Sequence, residues 1–84
     1  MKGSIYKINR ARQMIAVKTE DGSFSVFENI NEADFELGDK ITWRNNSGLG
    51  SESMNNLSKN HTVEVYFQNH HVTKDILSAQ LREE

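Results

Sequence analysis

The first 18 residues carry Lys2, Lys7, Arg10, Arg12 and Lys18 without a single acid, and Tyr6 stands among them. Cations interleaved with an aromatic ring can neutralise phosphates and stack an unpaired base, so this segment is the leading candidate for a binding surface. The plainer reading of the same charges is a pair of solvated strand faces that keep a sheet edge from aggregating. Residues 20–39 reverse the sign, with Glu20, Asp21, Glu28, Glu32, Asp34, Glu36 and Asp39 and no base. No apolar setting surrounds these carboxylates that would raise a pKa for acid–base work. His61, His70 and His71 are the only histidines. Neighbours on a strand point to opposite sides, which is poor geometry for sharing a metal; Glu64 or Asp75 would have to complete such a site, and exposed imidazoles in a polar turn are the ordinary explanation. Serines are plentiful, yet no Gly-x-Ser-x-Gly elbow occurs, and Ser51-Glu52-Ser53 lies in a polar stretch that cannot hold a nucleophile in place. Gly48-Leu49-Gly50 lacks the third glycine and the following helix of a phosphate cradle. These absences predict a protein that is not an enzyme and holds neither cofactor nor metal.

The elements that must position the cations are strands. Ile5 and Ile8 flank Tyr6, Ile15 and Val17 flank Ala16, and Phe24, Val26 and Phe27 alternate with serine, which predicts a meander of strands over 2–9, 13–19 and 23–28. Asn9-Arg10-Ala11-Arg12 and Glu20-Asp21-Gly22-Ser23 supply the two turns, the second through an Asp-Gly pair that tolerates positive φ. Residues 31–36 read as one helical turn, and Leu37-Gly38-Asp39 leads into a fourth strand over 40–44. Asn, Ser and Gly dominate 45–60, which reads as a long polar loop. Its Asn-x-Ser/Thr matches at Asn45, Asn56 and Asn60 arise by chance in such a composition. Residues 62–67 alternate as a fifth strand, a turn follows at Asn69-His70-His71, and Thr73 can cap a short helix over 73–82 whose apolar stripe is Ile76, Leu77, Ala79 and Leu81. Trp43 reads as a core residue, since a thin barrel needs its large side chains.

The chain has 84 residues, 36% hydrophobic and 26% charged, with no cysteine, no proline and a net charge of −2. One small domain, 1–84, accounts for that length. Without cysteine there is no disulfide framework and no thiolate zinc site. Neither an apolar leader nor a membrane-length apolar run is present, which predicts a cytoplasmic protein away from membranes. Five strands without a strand–helix–strand rhythm predict a mainly β fold: a small five-stranded antiparallel OB-type barrel with a short C-terminal helix.

The opening adds a resemblance. Met1-Lys2-Gly3-Ser4-Ile5, then Ile8-Asn9, a basic turn with Arg12 and the strand Met14-Ile15-Ala16-Val17 resemble the start of cold-shock domains, five-stranded OB-type barrels that bind single-stranded RNA and DNA. The likeness runs through Glu28, about a third of the chain, and returns weakly at Leu37-Gly38-Asp39-Lys40-Ile41-Thr42. Ribosomal S1-type domains share a similar opening. The departures lie in the rings: Lys7 stands where that family has tryptophan, Arg12-Gln13-Met14-Ile15-Ala16 replaces its Lys-Gly-Phe-Gly-Phe stretch, and Glu28 replaces the histidine that ends its Val-Phe-Val-His strand. Each stacked base is worth roughly 1–3 kcal/mol, so losing three or four rings removes most of that affinity. Two functions follow. In one, single-stranded RNA or DNA binds weakly and with little sequence preference to Lys2, Tyr6, Lys7, Arg10, Arg12, Met14, Lys18 and Phe27. In the other, the barrel has lost nucleic-acid binding and takes a protein partner through the acidic segment or the polar loop. Paired edges of a partly open barrel leave a monomer or a weak dimer open.

Overall fold

The computed structural model describes residues 1–44 and 48–81. Six strands, β1 (Lys2–Asn9), β2 (Met14–Thr19), β3 (Phe24–Glu28), β4 (Lys40–Trp43), β5 (Gly50–Asn56) and β6 (His61–Val72), close a barrel in the order β1-β2-β3-β6-β5-β4. Every neighbouring pair is antiparallel, and β4 returns to β1 through Lys2–Thr42, Gly3–Ile41 and Ser4–Lys40. A 3-10 turn, Lys74–Ile76, and a four-residue helix α1, Leu77–Gln80, end the described chain. No helix among the described residues is long and apolar enough to cross a membrane.

The alternation seen in the first three strands divides two cores. Ile15, Val17 and Phe27 point inward to Ile5, Phe35, Ile41, Trp43, Met54, Val65 and Phe67. Met14, Ala16, Phe24, Val26 and Val72 take the opposite face of β2, β3 and β6, where Leu77 and Leu81 cover them. The helix is thus a patch on the outside of the barrel. Asn9 Nδ2 donates to the carbonyl of Leu81 at 2.8 Å and Asn69 Nδ2 to Gln80 Oε1 at 3.2 Å, tying that patch to β1 and β6.

Four expectations need correction. The barrel has six strands rather than five, because β5 lies inside the segment read as a loop. Met54 and Asn56 face inward from β5 while Ser51, Ser53 and Asn55 face water, and pairing to β4 and β6 on both sides supplies what the composition lacks. Residues 31–36 form no helical turn: buried Asn29 accepts from the Ala33 amide at 3.0 Å and donates to its carbonyl at 2.8 Å, and Glu32 takes a left-handed φ of 49°. The last strand runs on through the expected turn at Asn69-His70-His71, with register shifts against β3 and a φ of 55° at His71 absorbing the irregularity. The helix is shorter than 73–82, and the Thr73 hydroxyl donates to the Asp75 carboxylate instead of capping an amide. Asn45, Asn46 and Ser47 of the expected loop, and Arg82 of the expected helix, lie outside the described residues.

Candidate functional site

The five early cations share one hairpin but not one place. Lys2 and Lys18 lie at the end where Gly3 pairs with Thr19, whereas Arg10 and Arg12 sit in the turn at the other end. Eight steps along the chain separate Lys2 from Arg10, about 26 Å at roughly 3.3 Å per residue. Arg10 lies beside the segment that carries buried Phe35, its Nη2 donating to the Phe35 carbonyl at 3.4 Å. Lys7, half-buried, stands between the two groups and pairs with Ala16 across the strands.

Two predicted contacts are not surface at all. Phe27 is 0% exposed, edge-on to Phe35 and Phe67 at 5.4 and 5.6 Å between ring centres in the barrel interior. Met14 does point outward, as its place on β2 implies, but at 5% exposure it is sealed under Leu77 and Leu81. Neither can touch a base in this fold.

What the fold does assemble is a lysine groove that the sequence order hides. Ser4 on β1 pairs with Lys40 on β4 and with Lys18 on β2, so two lysines flank one small residue in a single cross-strand row. Lys2 joins them, and with Gly3, Thr19 and Glu20 they line a shallow hollow of about 280 Å³. Gly3 is obligatory here, because a Cβ would stand 2.5 Å from the Lys18 carbonyl oxygen and 2.6 Å from Val17 Cγ2. Beside the groove, Tyr6 occupies a β1 irregularity between Ile5 and Lys7 and reaches across β2 to Phe24, ring centres 4.8 Å apart. Phe24 is buried, while Tyr6 remains 38% exposed and offers one ring face. Lys40, 22 residues beyond Lys18, carried no signal in the sequence; only barrel closure brings it there.

The acidic segment is spent differently. Lys59 lies against Glu36, 3.8 Å from Asp39 and 4.0 Å from Asp34. The hydrogen bond to Glu36 and the surrounding carboxylates raise the Lys59 pKa against its partial burial. Burial pushes Asp39 up, but Asn56 Nδ2 and the Glu36 amide, each donating at 2.9 Å, together with the charges of Lys59 and His61, outweigh it, and its pKa is lowered. Asp21 is held down at about 2 by the hydroxyls of Thr19 and Ser23 and the Ser23 amide, with His71 4.0 Å away.

The histidines have separate tasks. His70 Nδ1 bonds Ser25 Oγ at 2.8 Å and its Nε2 bonds the Gly48 carbonyl at 2.7 Å; a carbonyl only accepts, so Nε2 is the donor there. The ring stacks on Trp43 and Phe67, and Trp43 is core as its size predicts. Ser25 at this pair is buried, 2% exposed. A further hollow, about 460 Å³ along Thr42, Trp43, Arg44, Glu52, Ser53 and Asn55, mixes one cation with one acid.

No family model matches this chain, and no curated protein or solved structure matches it either.

Proposed function

We propose that this barrel is a non-catalytic binding module that takes single-stranded nucleic acid, weakly and with little sequence preference, on the outer face of β4, β1 and β2. The single observation that carries the reading is the row Lys40–Ser4–Lys18 with Lys2 beside it and the Tyr6 ring at its edge. Three ammonium groups around a small residue leave room for a phosphate, and a half-open ring next to them suits any base, because every base has a π-face. The resemblance of the opening hairpin to cold-shock and S1-type domains supports the same class of ligand. The contact set differs from the one the sequence suggested: Lys2, Tyr6, Lys18 and Lys40 carry the binding, Lys7 borders it, Arg10 and Arg12 lie outside it, and Met14 and Phe27 belong to the cores.

The test is an amide-resolved NMR titration with short single-stranded RNA and DNA, on the natural chain and on the Lys18→Glu/Lys40→Glu and Arg10→Glu/Arg12→Glu pairs. The reading requires shifts around Ser4, Tyr6 and Lys18 that weaken on the order of tenfold in the first pair and stay within about twofold in the second. Equal binding by the lysine pair would sink it. A protein partner is the second reading, favoured by Leu37, Leu49 and Leu57, each more than half exposed. A spectrum silent to nucleic acid at low salt, with a nuclease-resistant protein retained from extract, would move the assignment there.

A further inference from the structure

We infer that the ligand path on this face is a track across the strands from Lys40 to Lys74, so that the fitting ligand is an oligonucleotide several residues long rather than a lone nucleotide or phosphate; this rests on the lysine-groove reading above. The register draws the path. Lys40 pairs with Ser4, Ser4 with Lys18, Lys18 with Phe24 and Phe24 with Val72, one unbroken row over β4, β1, β2, β3 and β6. Four strand spacings make that row about 19 Å long around the barrel.

Lys74 follows Val72 by two residues and lines, with Lys18, Phe24, Val72 and Thr73, a second hollow of about 370 Å³. Lys18 belongs to both hollows, so the two are adjacent stations on one path. Phe24, between Lys18 and Lys74 in the lining of the second hollow, is buried, and the exposed Tyr6 ring rests against it from β1. The path therefore has lysines at both ends and in its middle, with one exposed ring beside it, the combination that suits a phosphate backbone and a stacked base. Two acids border it. Glu20 lines the first hollow and Asp21 the second, but the Asp21 carboxylate already accepts from Thr19 and Ser23 and faces His71, so its charge is partly answered within the protein. Lys74 carried no weight in the sequence because it sits 56 residues from Lys18, beyond the turn-rich middle of the chain.

The experiment measures affinity for a thymidine dinucleotide and octanucleotide by fluorescence anisotropy and amide shifts, using the natural chain, Lys40→Glu and Lys74→Glu, each variant checked for an unchanged amide spectrum. The track predicts that Lys74→Glu weakens the octanucleotide on the order of tenfold while the dinucleotide stays within about twofold, and that Lys40→Glu weakens both. In the natural chain, the Thr73 and Lys74 amides shift with the octanucleotide and not with the dinucleotide, a readout that does not depend on any variant. If Lys74→Glu leaves the octanucleotide unchanged while Lys40→Glu weakens it, the track is overturned and the groove stands. Equal weakening of both ligands by Lys74→Glu makes Lys74 part of a compact anion site and overturns the track as well. If the natural chain binds neither, the nucleic-acid reading itself falls.

Discussion

At the scale of single residues, two backbone and side-chain settings carry measurable consequences. Gln13 closes the β1–β2 turn at φ 54°, its amide donating to the Arg10 carbonyl at 3.3 Å. A left-handed conformation costs a residue with a Cβ about 1–2 kcal/mol, and glycine avoids that cost while giving back about 0.4–1 kcal/mol in chain entropy. Gln13→Gly should therefore stabilise the fold by about 0.5–1 kcal/mol, read as a higher urea midpoint at unchanged slope. Asp39 and Asp21 give the pH dependence. Both are held below the usual 3.8 in the folded chain, so the unfolded chain binds more protons in acid. Their contribution is complete above about pH 5 and is lost as pH falls through 3.8 toward about 2, the value at which Asp21 titrates. Thermal melts from pH 5 to pH 2 should show a steep loss that Asp39→Asn flattens and the exposed Glu32→Gln does not; parallel curves for the two variants would refute the assignment.

At the scale of elements, the C-terminal patch is the part whose strength is easiest to misjudge. A 3-10 turn and four helical residues cannot persist alone, since isolated helices shorter than about 12–15 residues are marginal even for good helix formers. Leu77 and Leu81 hold it to Met14, Ala16, Phe24, Val26 and Val72. Leu81→Ala removes a fully buried side chain and should cost about 2–5 kcal/mol, and faster amide exchange at Ala16 and Val26 would locate the loss on the outer face. A change below about 1 kcal/mol would mean that the patch is dispensable. The sequence announced the stripe of Leu77 and Leu81, but not that it would lie over the positions where the resemblance looked for rings. The first three strands were legible because Ile, Val and Phe alternate at period two within them. β5 was not, because Gly50 to Asn56 holds one apolar residue, Met54, and owes its extension to hydrogen-bonded neighbours remote in sequence. The lysine groove was half legible for the same reason: Lys2 and Lys18 meet across a local hairpin, while Lys40 arrives by barrel closure.

At the scale of the whole molecule, a net charge of −2 argues against a polyanion ligand only if charge is spread evenly, and here it is sorted. Asp34, Glu36 and Asp39 gather around Lys59, and Asp39 is buried in a hydrogen-bonded setting that keeps its charge inside the fold. Lys2, Lys18, Lys40 and Lys74 line the hollows on the outer face. Closure of the barrel also removes the open strand edges through which small sheets associate, so that this face rather than a backbone edge is what the molecule presents. Binding led by four phosphates should then obey counterion release. For single strands the slope of log K against log salt is about −0.7 per neutralised phosphate, which gives about −3 for four. Raising salt from about 50 to about 200 mM should weaken an octanucleotide by about 50-fold, and Lys74→Ala should bring the slope to about −2. Anisotropy titrations at four or five salt concentrations measure both. A slope near zero with binding retained would mean that stacking on Tyr6 or a neutral contact carries the affinity, and the lysines would then be no more than solvated strand faces. A slope near −3 that falls by about 0.7 with each lysine removed would assign one phosphate to each cation along the path.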